Sequence, residues 1–177
     1  NHLADPLFNG LIYATRDDAP VGQQPGIRLM KGSEIARTSG LTVVTNDPLY
    51  VQGDYNTVNK KPTAVISDAL NILSNAWNDA NSTTNNVNSG SPRTASNTTI
   101  NTAFISGIKT SVSGNYNGGL ENYPRFHERW SGQTLTIRGS FVALWNSVMG
   151  TGNWKYGQHA SNSQYTAPTR NWDYDTD

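Results

Sequence analysis

Four short β-forming runs, each closed by turn residues, constrain this chain more than any other feature. They are Gly10-Leu11-Ile12-Tyr13-Ala14, Gly26-Ile27-Arg28-Leu29-Met30, Leu41-Thr42-Val43-Val44-Thr45 and Leu49-Tyr50-Val51-Gln52. Gly, Pro, Asn or Asp bounds each of them. The first three start about 15 residues apart, and Asn9-Gly10, Pro25-Gly26 and Ser39-Gly40 precede them as if each strand re-enters after a glycine corner. Runs this short cannot bury a core singly, so they must stack. The expected fold is mainly β, with short strands stacked as a β-solenoid or laid out as a meander sheet.

The rest of the chain is read by period. Over residues 62–79, Val65, Ile66, Ala69, Leu70, Leu73 and Trp77 fall at helical i, i+3, i+4 spacing, with Pro62 near the first turn. That spacing predicts one packed α-helix. Residues 81–97 are rich in Asn, Ser and Thr and almost free of apolar side chains, which predicts an exposed polar loop. Helix and strand compete over 99–108. A short helix is expected over 121–130, with Phe126 and Trp130 on one face. Residues 133–146 form the longest strand pattern, bent at Gly139-Ser140, and 147–177 read as an irregular aromatic tail around a single domain spanning 1–177. The predicted core is Ile12, Ile27, Leu29, Leu41, Val43, Val51, Val65, Ile66, Leu70, Leu73, Trp77, Leu135, Ile137, Val142, Leu144 and Trp145.

Charge narrows the function classes. Thirteen basic and thirteen acidic residues cancel, leaving no cationic field for nucleic acid or anionic membrane. Only 15% of residues are charged, yet mean hydropathy is −0.58, so uncharged polar residues carry the hydrophilicity. With no cysteine, thiol chemistry and zinc ribbons are excluded. No apolar run approaches the roughly 18 residues that a membrane helix needs. The composition points to an extracellular bacterial protein. The start at Asn1, without a signal pattern, reads as a processed or excised piece.

Candidate chemistry is sparse. His127-Glu128 between Arg125 and Arg129 is the only dense charged cluster, and it reads as the solvated face of the short helix rather than an acid/base pair. Asp173, Asp175 and Asp177 alternate as the first ligands of a calcium loop do, but the turn glycine and distal carboxylate are missing. Calcium is therefore the only cofactor to consider, and a solvated acidic terminus is the competing reading. Trp154, Tyr156, Tyr165 and Trp172 could stack on sugar rings or anchor the tail. No nucleophile elbow, phosphate loop or dinucleotide fingerprint occurs, so catalytic residues are expected to be none.

Three stretches carry a family resemblance. They are Leu41 to Asn56, continuing through Lys60-Lys61-Pro62 into Ala64 to Ser74; Glu121-Asn122-Tyr123-Pro124-Arg125-Phe126 with Trp130-Ser131-Gly132 and Gly139-Ser140; and Ala167-Pro168-Thr169-Arg170-Asn171-Trp172. Together they resemble the C-terminal region of large bacterial secreted proteins linked to type IV pilus assembly or prepilin-like secretion. The resemblance spans roughly residues 9–175 and implies no catalytic residue. It implies a prepilin-type helix and β-rich repeats ahead of this segment, neither of which the sequence contains. The leading expectation is a non-enzymatic structural or adhesive component of a bacterial surface or pilus-like filament. Its partners would be further copies or other filament subunits, met through edge strands such as Leu11 to Thr15. A carbohydrate-binding module that meets glycans, and a secreted hydrolase, are the alternatives.

Overall fold

Alternation along each short run decides which side chains turn inward. In Leu41–Val44, Leu41 and Val43 are buried while Thr42 and Val44 face outward, and Leu49–Gln52 repeats the pattern with Leu49 and Val51. The computed structural model describes residues 8–84, 87, 90–114, 123–150 and 163–176. Its strands are β1 (Leu11–Tyr13), β2 (Ile27–Met30), β3 (Leu41–Val44), β4 (Leu49–Gln52), β5 (Thr63–Ser67), β6 (Leu70–Leu73), β7 (Thr98–Asn101), β8 (Ala103–Ser106), β9 (Arg125–Phe126), β10 (Thr134–Arg138), β11 (Phe141–Ala143) and β12 (Thr169–Asp173).

These strands form three sheets, ordered β1-β3-β5-β8-β11, β2-β4-β6-β9 and β12-β10-β7, and every strand pair is parallel. Parallel stacking of successive coils makes a β-solenoid, and an antiparallel meander is excluded. Adjacent rungs lie about 4.8 Å apart. Parallel bridges link Thr94, Arg129 and Thr166 as a narrow further face.

The core is a set of inward columns climbing the rungs. Ile12, Val43, Val65, Phe104 and Phe141 stack in the first sheet. Leu29, Val51, Ile72 and Phe126 stack in the second, and Tyr55, Ile100, Ile137 and Trp172 in the third. Identical environments repeat on each coil, so β-branched and aromatic residues fill them. The first sheet also carries an outward apolar column of Tyr13, Val44, Ile66, Ile105 and Val142.

Corners hold the coil together. Gly40 turns with φ 93°, and a Cβ there would stand 2.0 Å from the Pro62 carbonyl oxygen of the next rung. Asn56, buried with φ 54°, ties a corner to its neighbour. Its Nδ2 donates to the carbonyls of Lys61 (2.6 Å) and Asn101 (2.9 Å), and its Oδ1 accepts from Lys61 N (2.9 Å).

No α-helix exists among the described residues, which corrects the expectation for 62–79. Two strands, β5 and β6, meet there at the Asp68-Ala69 corner, and that corner shifts the inward set so that it mimics helical spacing. The segment 123–130 is also extended, with Pro124, Phe126, Glu128 and Trp130 buried alternately. The competition over 99–108 resolves to strands, and β12 replaces irregular chain over 169–173. The 81–97 loop packs more than its composition implies: Val87, Ser91, Arg93 and Ala95 are buried. Val142, Leu144 and Trp145, predicted inside, are exposed by 39%, 65% and 38%.

Candidate functional site

The charged cluster around residue 127 divides between the two sides of an extended chain. Glu128 points into the core, 1% exposed. Its Oε2 accepts from Ser74 N (2.6 Å) and its Oε1 from Ser74 Oγ (2.7 Å). Burial pushes its carboxyl up, against the Ser74 donors and the nearby Arg93 charge. Arg93 is itself buried, and burial lowers its guanidinium below the ordinary arginine value. His127 faces outward over the second sheet, with its ring beside Tyr50 at 5.6 Å between centroids. Asn71 donates through Nδ2 to the carbonyls of Leu49 and Ala69, so its Oδ1 is left to accept from His127 Nε2 at 2.8 Å. Burial, then Arg93 and Arg125, push the His127 imidazole down to about 3, so it is neutral at pH 7. His127 and Glu128 thus lie on opposite faces of one extended segment, with Glu128 in the core.

A different group of residues surrounds an open trough. It lies along the corner where the third sheet turns into the first, and it has a volume of about 420 Å³. Lys60 and Lys61 come from the corner before β5, Arg138 ends β10, Ser140 precedes β11, and Tyr174 and Asp175 follow β12. Lys60 pairs with Asp175. Arg138 donates to the Asn171 carbonyl (2.9 Å) and the Ile137 carbonyl (3.1 Å), and it forms no ion pair among the described residues. Lys61 forms none either. A second hollow of about 410 Å³ shares Gly139, Ser140 and Tyr174 with the first and adds Phe141 and Trp172. The two hollows adjoin across Gly139, Ser140 and Tyr174 on the last rungs.

No protein-family model, curated protein or solved structure matches this chain.

The sequence-derived candidates fall in separate places. Trp154, Tyr156 and Asp177 lie outside the described residues. Tyr165 is 5% exposed within the core, its ring 5.8 Å from Phe126. Trp172 ends the inward column of the third sheet, its ring tilted 38° to that of Phe141 at 5.2 Å with the Arg170 guanidinium 5.0 Å over it. It is half-buried and lines the second hollow. Asp173 accepts from Tyr174 N (2.8 Å), and Asp175 holds Lys60. Among the described residues, no three His, Asp or Glu side chains converge on one point. Among them also, no helix is long and apolar enough to cross a membrane.

Lys60, Lys61, Arg138, Ser140 and Tyr174 escaped the sequence reading because they are scattered over 115 positions. The signal that could have joined them is rung alignment. Asn101, Arg138 and Asp173 are register partners at one corner of three successive rungs. A correct coil period would have put them side by side.

Proposed function

We propose that the chain is a non-enzymatic structural or adhesive segment of an extracellular surface or pilus-like filament protein, as its resemblance to pilus-associated secreted proteins implies. One observation carries the reading. Among the described residues, the outer edge of β1 at one end of the first sheet, and the outer edges of β11 and β12 at the other end, pair with no strand. Both ends present strands of one polarity, so a second copy can add to either end as a further rung. Such a contact is head-to-tail and does not close, which is the geometry of a fibre. The exposed Leu11 and Tyr13 of β1 supply apolar surface at that edge, and charged or proline blockers are absent from it.

The allocation of carboxylates supports the same reading. Asp47 accepts from Arg16 N and Thr15 Oγ1, Asp68 holds Trp145 Nε1 and the backbone N–H groups of Val148 and Met149, and Glu128 holds Ser74. The buried carboxylates therefore act as internal fasteners. The test is sedimentation velocity over a range of concentration. Self-association that grows with concentration and is abolished by Leu11→Lys/Tyr13→Lys is the expected result. A monomer at every concentration, or unchanged association in that variant, contradicts end-to-end stacking.

A further inference from the structure

The trough over Gly139 and Ser140 combines features that neither the core nor the fibre ends require. Its floor has small side chains, so a chain-like ligand can lie close to the backbone of the corner. Along it stand three cations, Lys60, Lys61 and Arg138, of which, among the described residues, only Lys60 has a carboxylate partner. Asp175 and, in the adjoining hollow, Asp173 are the acidic residues of the depression. The Asp173 carboxylate is turned to its own neighbour's N–H, and Asp175 is neutralised by Lys60. The three cations outnumber the two carboxylates by one, so the depression is net positive in a chain whose net charge is zero.

The other side of the depression is aromatic. Tyr174 is 75% exposed and borders both hollows, and Trp172 lines the second. A flat aromatic face beside the Ser140 hydroxyl suits a pyranose ring. Guanidinium and ammonium groups beside it suit carboxylates on such rings. The depression also crosses rungs, so it extends along the solenoid as a polymer would.

We propose that this trough binds a uronate-bearing polysaccharide chain, with Lys61 and Arg138 holding sugar carboxylates and the exposed Tyr174 stacking on a ring. The second hollow shares β11 and β12 with the fibre end, so a stacked copy and a bound ligand compete there, and binding is measured on the Leu11→Lys/Tyr13→Lys variant to keep the two readings separate.

The test is isothermal titration of that variant, as the intact chain, with galacturonate oligosaccharides, with gluco-oligosaccharides of equal length as the neutral control. The uronate oligomer binds, its affinity falls as salt rises, and the neutral oligomer binds about tenfold or more weakly. Lys61→Glu abolishes uronate binding with the melting temperature unchanged, since the Lys61 ammonium has no ion-pair partner among the described residues. Tyr174→Ala weakens binding at an exposed position where folding is not at stake. Absence of uronate binding, equal binding of the neutral oligomer, or full binding by Lys61→Glu overturns the proposal.

Discussion

At the scale of single residues, His127 shows how stacking sets chemistry. Its ring lies on the outside of the second sheet, yet the layers around it and two arginines hold it neutral. The folded value is about 3 against an ordinary 6.5, so on acidification the unfolded chain takes up this proton first. His127 therefore contributes stability that is present above about 6.5 and is lost as the pH falls towards 3. Glu128 acts in the opposite sense, because its raised carboxyl costs stability as pH rises above the ordinary carboxylate range. The two effects separate by substitution. Between pH 7 and pH 5 the wild type should lose about 2 kcal/mol through His127. His127→Gln, which keeps a donor for Asn71, should not show that loss. Urea midpoints of both proteins across this range measure the difference, and parallel curves would contradict the assignment. None of this was legible in the sequence. The Arg-Phe-His-Glu-Arg string looks like a solvated helix face, because separating buried Glu128 from outward His127 requires knowing that the period is two.

At the scale of elements, the short runs were legible and their connectivity was not. The interval of about 15 residues is the step from one sheet to the next, as β1, β2 and β3 alternate between sheets. The coil itself repeats every 21 or 22 residues where no excursion intervenes, with 22 from Ile27 to Leu49 and from Leu41 to Thr63 and 21 from Leu49 to Leu70. Later coils are longer, with 39 residues from Ala64 to Ala103, because the chain leaves the rung and returns. Excursions of unequal length erase the repeat, although the strands remain in register. The false helix over 62–79 has the same origin. Val65 and Leu70 are inward residues of two strands, and the two-residue corner between them converts a period of two into apparent helical spacing. Thr63, Val65, Ile66 and Ile72 are β-branched, and that preference was the better guide. Corner glycines follow from rung spacing. Gly40→Ala would place a methyl group 2.0 Å from the Pro62 carbonyl oxygen at a φ of 93°, so the corner must open. The expected cost is about 2 kcal/mol or more, read as a lower denaturation midpoint. Gly22→Ala is the control, since it has a similar φ of 81° and nothing within 4 Å. An equal effect at both positions would show that backbone conformation alone, without rung contact, sets the cost.

At the scale of the whole molecule, the stacked inward columns explain how a chain with 15% charged residues and no disulfide keeps a core. Each rung is buried by its neighbours, so the rungs at the two ends are the weakest-covered parts. Leu11 and Tyr13 at one end and Val142 and Leu144 at the other are exposed. The outward column of the first sheet adds an apolar strip along the length. Further rungs added at either end would bury these residues, as the proposed filament role requires. The direct test is to shear surface filaments from the organism that makes this protein and quantify their components by mass spectrometry. The expected result is this chain in the sheared filaments in fixed proportion to the major subunit. Recovery only as free protein in the medium, with none in the filaments, would contradict it.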